Sequence, residues 1–229
     1  MSNRRPGGVG RGRGYTAGAM SSLEPQIAAA LARLPDAMPP GAAARLAGLV
    51  DELVRWNAKV NLTAIRDPVA MIEGHLLDSL AVRPLLEGRS IADVGTGAGF
   101  PGLPLAIAEP DRRFTLIDGT AKKIAFVRHA AGLLGLGNVE AVQTRTEDYA
   151  PGQGFDTVIA RAVGTLDRLV AMAGHLVGED GVFLALKGRY PKQELDEVPA
   201  AWATRVVALD VPGLEKGSRH AVLLRPTRT

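Results

Sequence analysis

The 229-residue chain contains no cysteine. It can therefore form no disulfide and no cysteine-ligated zinc site. It also cannot attack a substrate with a cysteine thiolate, which is the nucleophile of RNA methyltransferases that act on pyrimidine C5. The absence of this one residue type thus excludes a redox framework, a common structural metal site and one class of RNA chemistry.

Other signals are missing as well. No run of about 20 apolar residues and no signal peptide is visible, so we expect a soluble, cytoplasmic protein without a membrane partner. A GxSxG elbow and a Walker lysine are absent. The four histidines, at positions 75, 129, 175 and 220, show no metal-ligand spacing, so we predict no metal.

Charge is unevenly distributed along the chain. The net charge is +3, and 46% of the residues are apolar, enough for one large domain with a small extension. Residues 1–20 carry four arginines and no acid, whereas the remaining chain has one more acidic than basic side chain. We expect the Gly/Arg-rich residues 1–20 to be disordered, either as an RNA-binding tail or as an ordinary solvated one. Any other RNA contact must come from local basic patches.

A glycine-rich stretch follows the first predicted strand. Gly97, Gly99 and Gly102 match the GxGxxG pattern, which by itself is a weak indicator of a nucleotide. Asp93 precedes the first glycine, and a carboxylate there favours a cationic ligand over a pyrophosphate. S-adenosylmethionine is such a ligand, and the DxGxGxG pattern resembles the first motif of Rossmann-like methyltransferases.

A second acid lies about 20 residues further on. Asp118 ends the second predicted strand, where a carboxylate can accept hydrogen bonds from both hydroxyls of a ribose. The alternative role is an N-cap for the helix that starts at Ala121. Because NAD also contains this ribose, Asp118 does not discriminate between the two cofactors.

The order of elements predicts an α/β fold. Three helices at 23–34, 41–60 and 69–86 precede the first strand, and they predict a helical cap over residues 21–88. Strands and helices then alternate through residues 89–229, which predicts a mostly parallel sheet with helices on both faces. The predicted strands are 90–94, 113–118, 139–144, 155–160, 181–187, 205–211 and 220–225, and the intervening helices are 102–108, 121–134, 166–177 and 192–198. No helix separates the last two strands, so we expect the seventh strand to be antiparallel.

Side chains just beyond each strand are the candidates for function, because ligands of such sheets bind at the carboxyl ends of the strands. Thr146 and Glu147 could recognise adenine, or could cap a short turn. Arg161 could bind the cofactor or the base, or form a buried ion pair. Lys187 could steer phosphate, or be a surface lysine. The fourth strand lacks the Asn/Asp-Pro-Pro-aromatic turn, which disfavours methylation of an exocyclic amine.

One pair of polar residues lies in the predicted cap. His75 and Asp78 are one helical turn apart and could face each other. We favour a helix-stabilising pair over a role in the substrate site.

An ordered set of motifs makes the resemblance specific over about residues 22–226. They are Trp56-Asn57-x-x-x-Asn61-Leu62-Thr63, His75-x-x-Asp78-Ser79-Leu80, Asp93 to Gly102, Lys122-Lys123, Thr146-Glu147, Arg161-Ala162, Leu186-Lys187-Gly188 and Arg219-His220. Together they resemble the small-subunit ribosomal RNA methyltransferase G family, also called glucose-inhibited division protein B. The implied fold is a Rossmann-like class I methyltransferase with a seven-stranded sheet.

The resemblance also implies the reaction. It would be S-adenosylmethionine-dependent N7-methylation of guanine 527 of 16S rRNA, in the rRNA numbering used for that family. The family's cofactor contacts would fall on Gly95, Phe100, Thr146, Glu147 and Arg161, with Asp93, Gly97, Gly99 and Asp118 nearby. Independently of the resemblance, the positions of Arg161 and Lys187 just beyond their strands make either one a candidate for orienting the base through guanine O6, and Lys187 is the candidate catalytic residue.

The implied partner is 16S rRNA, either naked, in an assembly intermediate or in the 30S subunit, with no obligate protein partner. Three alternatives remain open. They are a small-molecule methyltransferase, a NAD-linked oxidoreductase and a non-catalytic RNA-binding subunit.

Overall fold

The computed structural model describes residues 22–161, 164–214 and 217–227. The predictions for the Gly/Arg-rich residues 1–20 lie outside the described residues. The α-helices are α1 (Glu24–Leu31), α2 (Ala42–Val60), α3 (Pro68–Met71), α4 (Asp78–Leu80), α5 (Gly102–Ala108), α6 (Ala121–Leu133), α7 (Leu166–Ala173) and α8 (Lys192–Asp196). The strands are β1 (Ser90–Val94), β2 (Arg113–Ile117), β3 (Val139–Val142), β4 (Phe155–Arg161), β5 (Val177–Lys187), β6 (Trp202–Leu209) and β7 (Arg219–Pro226).

The seven strands form one mixed sheet in the order β3-β2-β1-β4-β5-β7-β6. The neighbours from β3 through β5 pair in parallel, and β7 is antiparallel to both β5 and β6. The α/β class and the antiparallel last strand are thus confirmed. A short connection after β6 suffices because an antiparallel neighbour needs no crossover helix.

The predicted third helix is less regular than expected. It begins at Pro68 after Asp67, whose carboxylate accepts hydrogen bonds from two backbone amides of the first turn, and it is π-helical over Ile72–Leu77. Its last regular segment is α4, and a separate 3₁₀ turn follows at Arg83–Leu85, where Pro84 cannot donate a backbone hydrogen bond. A single π-turn inside a helix is often associated with a functional site.

Close packing explains the glycine in this π-turn. A Cβ built on Gly74 would lie 2.7 Å from Ile65 Cδ1. The bare backbone therefore allows the loop after α2 to pack directly against the π-turn, which fixes the direction of the side chains that follow.

The helical cap and the sheet share one hydrophobic core. Leu46 and Leu49 of α2 are fully buried in the same cluster as Ile91 of β1 and Leu103 of α5. Burial of this shared surface holds the cap on one face of the sheet. The division of the chain between residues 88 and 89 stays a prediction.

Strand boundaries were predicted less well than strand identities. The fifth strand begins at Val177 and not at 181, because Val177 pairs with Phe155 before a register irregularity. Gly181 permits this close approach, since a Cβ there would lie 2.6 Å from the carbonyl oxygen of Phe155.

No helix within the described ranges is long and apolar enough to cross a membrane.

Candidate functional site

The carboxyl ends of the five parallel strands from β3 through β5 meet at one edge of the sheet. The register pairs the last residues of β1 with those of β2 and β4, those of β2 with β3, and those of β4 with β5. The residues predicted at strand ends are therefore neighbours in space. This edge is the place where open α/β sheets bind their ligands.

The glycine-rich loop joins β1 to α5 at this edge. Gly95, Gly97 and Gly99 have φ angles of 64°, 62° and 85°, a region that L side chains rarely adopt. The loop is tied to the sheet through the amide of Thr96, which donates to the carbonyl oxygen of Ile117 at 3.0 Å. The glycines are thus required by the path of the chain.

The glycines differ in what surrounds their missing side chains. A Cβ on Gly99 would lie 2.4 Å from Leu103, and one on Gly102 would lie 2.7 Å from both Asp93 and Leu116. A Cβ on Gly97 would have no neighbour nearer than 4.0 Å. Gly99 and Gly102 therefore serve internal packing, whereas Gly97 leaves its backbone accessible to a ligand.

Asp93, near the end of β1, stabilises the glycine-rich loop by hydrogen bonds. Its Oδ2 accepts hydrogen bonds from Thr96 Oγ1 at 2.6 Å and from the amide of Gly102 at 2.8 Å. Burial raises the pKa of this carboxyl to about 6, and the two hydrogen bonds partly oppose that rise. Its Oδ1 is buried without a hydrogen-bond partner among the described residues, so it can accept from a ligand.

Asp118 connects the end of β2 to the glycine loop. Its Oδ2 accepts from the amide of Gly97 at 3.0 Å, and its Oδ1 accepts from the amide of Thr120 at 2.8 Å. Thr120, not Asp118, occupies the N-cap position of α6, so the N-cap alternative for Asp118 is wrong. The carboxylate holds the two loops in a fixed relation.

Thr146 and Glu147 follow β3 in a 3₁₀ turn at Thr146–Asp148. Thr146 is buried and Glu147 is exposed. Arg145 holds the N-cap position without a side-chain hydrogen bond, so Thr146 does not cap the turn. A Cβ on Gly119 would lie 3.8 Å from Arg145, which places this turn beside the loop that contains Asp118.

Arg161, at the end of β4, forms an ion pair with the cap. Its Nη1 donates to Asp78 Oδ2 at 2.9 Å, and Arg219 Nε donates to Asp78 Oδ1 at 2.6 Å. Asp78 is only 8% exposed and thus bridges two guanidinium groups from separate strands. The ion-pair interpretation of Arg161 is confirmed, and its partner lies 83 residues away in the sequence.

His75 lies on the same side of the cap as Asp78 but does not pair with it. Its Nε2 is 2.8 Å from Thr63 Oγ1, and its ring stacks on Phe100 with 4.7 Å between centroids. The predicted helix-stabilising pair is therefore wrong. Burial, with the nearby Arg161 charge, lowers the pKa of His75 to about 4, so the ring is neutral at pH 7.

The Trp56-Asn57-x-x-x-Asn61-Leu62-Thr63 motif, which covers the end of α2 and the turn after it, positions this histidine. Asn57 Oδ1 accepts from the amides of Leu62 and Thr63, and its Nδ2 donates to the carbonyl oxygen of Thr63. Three hydrogen bonds from one side chain fix the turn and aim Thr63 Oγ1 at His75. The motif is a structural support for the site.

A cavity of about 360 Å³ opens between the cap and the ends of β4 and β5. Ten described residues line it: Gly74, His75, Asp78, Arg161, Leu186, Lys187, Gly188, Leu209, Arg219 and His220. Its volume falls within the range of pockets that bind small molecules. Four of the lining residues, His75, Asp78, Arg219 and His220, belong to the cap and last-strand motifs by which the sequence resembles the methyltransferase G family.

Lys187 is held at the rim of this cavity. Its Nζ lies 2.7 Å from the carbonyl oxygen of Gly164 and 2.6 Å from Glu194 Oε2, and its side chain is 13% exposed. The interpretation as a surface lysine is therefore wrong. Glu194 also accepts from the amide of Leu166, so one carboxylate joins α7, α8 and β5.

Sequence reasoning missed the central position of Asp78 and the contribution of Glu194. Spacing along one helix suggested His75 as the partner of Asp78, because local periodicity carries no information on contacts with distant strands. No group of three potential ligands close enough to hold a metal ion occurs in the described part of the chain.

The architecture defines the class of protein. A methyltransferase of Aquifex aeolicus described as SAM-dependent superposes with a TM-score of 0.52 at 18% identity, covering 69% of this chain and 93% of that one. TrmN of Thermus thermophilus also gives 0.52, at 17% identity, covering 76% and 52%. The fold is thus that of the Rossmann-like S-adenosylmethionine-dependent methyltransferases, as predicted.

Sequence comparison then identifies the family. The model of the GidB family, rRNA small subunit methyltransferase G, matches residues 42–222. The chain is 44% identical to the Xanthomonas axonopodis pv. citri protein of that name, covering 90% of this chain and 98% of the relative. It is 50% identical to the Aeromonas salmonicida protein, covering 77% and 85%. The chain belongs to the rRNA small subunit methyltransferase G family, and the predicted family is confirmed.

Proposed function

We propose that the protein methylates N7 of a guanine in 16S ribosomal RNA, guanine 527 in the family's rRNA numbering. A methyltransferase of small-subunit rRNA follows from family membership. The observation that supports N7-methylation of a guanine is the cavity lined by Asp78, Arg161, Lys187 and Arg219. It lies at the same edge of the sheet as the glycine-rich loop. It offers polar contacts to a methyl acceptor, and the chain has no cysteine that could form a covalent intermediate.

S-adenosylmethionine is the cofactor, as predicted, and the chain's own groups fit it. Asp93 Oδ1 is a buried acceptor without a partner among the described residues, and the Cβ direction of Gly97 is open. We assign the methionine part of the cofactor to Gly95, Gly97 and Asp93, and its ribose to Asp118. The adenine would contact the backbone of Thr146 beside Glu147.

Phe100 and Arg161 would act at the boundary between cofactor and substrate. The Phe100 ring is buried between His75 and the guanidinium of Arg161, whose Cζ lies 5.8 Å from the ring centroid. A cofactor contact at Phe100 would therefore use its main chain. Arg161 is restrained by Asp78 and by this cation–π contact, which keeps its charge at the cavity wall.

The chemistry needs little from the protein beyond alignment. When bound, S-adenosylmethionine supplies an electrophilic methyl group on a sulfonium. Guanine N7 has a free lone pair, so no proton is removed and no covalent intermediate forms. Holding the two reactants in line can contribute about 7 to 11 kcal/mol to the acceleration.

Lys187 would help to orient the base through guanine O6. Its Nζ already has two acceptors, Gly164 and Glu194, so its position is fixed before the substrate arrives. Replacement Lys187→Ala should lower turnover without changing cofactor affinity, because the residues assigned to the methionine, ribose and adenine parts of the cofactor lie at the ends of β1, β2 and β3 and not of β5. Unchanged turnover on 30S subunits would exclude this role. Lys192→Ala, an α8 residue outside the ten that line the cavity, is the control.

The test of the function uses 30S subunits that lack the modification. Purified protein and methyl-tritiated S-adenosylmethionine are added, and N7-methylguanine is mapped by borohydride and aniline cleavage. We expect label and cleavage at a single guanine of the decoding-region loop. Cofactor binding without label in naked 16S rRNA, assembly intermediates or 30S subunits would overturn the proposal and favour a small-molecule acceptor.

A further inference from the structure

The cavity contains one carboxylate set between two guanidinium groups. Asp78 is the only acidic residue among the described residues that line it. Each of its oxygens accepts one hydrogen bond, from Arg161 at 2.9 Å and from Arg219 at 2.6 Å. A carboxylate has about four lone-pair positions, so Asp78 can accept two further hydrogen bonds without releasing either arginine.

This arrangement complements the Watson–Crick edge of guanine. That edge presents an acceptor at O6 and donors at N1 and N2, whereas adenine presents a donor at N6 and an acceptor at N1. A carboxylate can accept from guanine N1–H and N2–H, and an adjacent guanidinium can donate to O6. The usual contact of arginine with O6 and N7 together is unavailable here, because N7 must remain free to react.

We propose that Asp78 is the specificity-determining residue that recognises the Watson–Crick edge of the target guanine. This inference rests on the proposed N7-methylation of guanine. The base would enter the cavity unpaired, as bases do in enzymes that modify them, with Leu186 and Leu209 providing apolar contact to its faces. Arg161 and Arg219 position the carboxylate from two strands of the sheet.

The same contact would favour the reaction itself. Methyl transfer to N7 forms the N–CH₃ bond, breaks the S–CH₃ bond with its electron pair returning to sulfur, and leaves the purine positively charged. The N1–H and N2–H groups become stronger hydrogen-bond donors as that charge develops. The interaction with the Asp78 carboxylate is therefore stronger in the transition state than in the bound substrate, which raises turnover.

A purely structural role for Asp78 makes a different prediction. If the carboxylate only holds the two arginines, its loss should slow methylation of every acceptor base by the same factor. A direct contact instead couples Asp78 to the N2 amine of guanine. A cycle that combines a protein substitution with a base substitution measures that coupling.

The experiment compares 30S subunits carrying guanine or inosine at the target position. Inosine keeps N7, O6 and N1–H and lacks only the N2 amine. Single-turnover methylation rates at saturating enzyme are measured for wild type, Asp78→Ala and Asp78→Asn. Binding of S-adenosylhomocysteine and thermal unfolding are measured for each variant, so that loss of folding is recognised.

The control is Glu52→Gln. Glu52 is a buried cap carboxylate, 4% exposed, that pairs with Arg55 and His129 and is absent from the cavity lining. Its replacement also removes the charge of a buried ion-paired carboxylate in the cap, but at a residue that does not line the cavity. We expect it to leave the preference for guanine over inosine unchanged.

We expect the wild type to methylate the inosine substrate about tenfold more slowly or worse, as for loss of a hydrogen bond to a charged group. Asp78→Ala should be slow on both substrates and should reduce that preference to within about twofold. Should Asp78→Ala fail to fold, Asp78→Asn applies the same test, with a reduced preference expected.

An unchanged preference in a folded Asp78 variant, or equal wild-type rates on both bases, would overturn the inference while leaving N7-methylation standing. Absence of N7-methylguanine from the wild-type reaction on guanine would overturn both proposals.

Discussion

Replacing Gly97 by alanine tests whether this glycine is needed for cofactor binding or only for the backbone conformation of the loop. Gly97 has a φ of 62° and no atom within reach of a Cβ except a backbone oxygen at 4.0 Å. Its amide hydrogen bond to Asp118 does not involve the side chain and survives the substitution. Any loss of cofactor binding would therefore come from the new methyl group.

We expect Gly97→Ala to lower the free energy of unfolding only slightly, and a second glycine with a similar φ provides a control for that loss. An L residue at this φ costs about 1 to 2 kcal/mol, and the stiffer unfolded chain offsets part of that, leaving about 1 kcal/mol. Gly135 has a φ of 67° and nothing within 4 Å, and it lies between α6 and β3 at the opposite edge of the sheet. Gly135→Ala should therefore show the same loss of stability.

The assay is calorimetric binding of S-adenosylhomocysteine, together with thermal unfolding. We expect both variants to unfold about 3 °C below wild type, as for a loss of about 1 kcal/mol in a chain of this size. Gly97→Ala should bind at least about tenfold more weakly, or 1.4 kcal/mol, and Gly135→Ala should bind like wild type. Binding by Gly97→Ala within about twofold of wild type would refute the reasoning.

Two further predictions concern stability. Gly102→Ala should lower the free energy of unfolding by about 1 to 3 kcal/mol, because its Cβ would lie 2.7 Å from Asp93 and Leu116. Gly132→Ala in α6, where a Cβ would have nothing within 4 Å, should be neutral or stabilising by about 0.5 kcal/mol. Equal effects of the two substitutions in urea unfolding would contradict this prediction. For His75, whose pKa falls from 6.5 to about 4 on folding, the unfolded state binds more protons, so stability is lost as the pH falls through that window. Urea unfolding of His75→Phe should therefore lose about 2 kcal/mol less than wild type between pH 7 and 4.5, and identical pH profiles would argue against the neutral buried histidine.

Asp93 opposes this pH dependence in wild type and variant alike. Its pKa rises from 3.8 to about 6 on folding, so its contribution to stability is full below 3.8 and is lost as the pH rises through 6. The comparison between His75→Phe and wild type removes this common contribution. The overall acid profile of the wild type should accordingly be flatter than His75 alone would produce.

The sequence by itself determined the fold class and the position of the glycine-rich loop after β1. Alternation of helices and strands is a local property, and the glycine pattern behind Asp93 is contiguous, so both can be recognised without knowing distant contacts. The bounds of β1 and α5 agree with the prediction for the same reason. The common edge of the strand ends then follows, because parallel strands joined by helices all run in the same direction.

Only the tertiary structure decided which charges belong together. Asp78 was paired with His75 by helical spacing, yet it binds Arg161 and Arg219, which are 83 and 141 residues away. Likewise Lys187 resembles a surface lysine until Glu194 and Gly164 are brought to its ammonium group. Ion pairs and burial depend on how the cap docks on the sheet, and that docking is set by the shared apolar core, which a one-dimensional pattern does not encode.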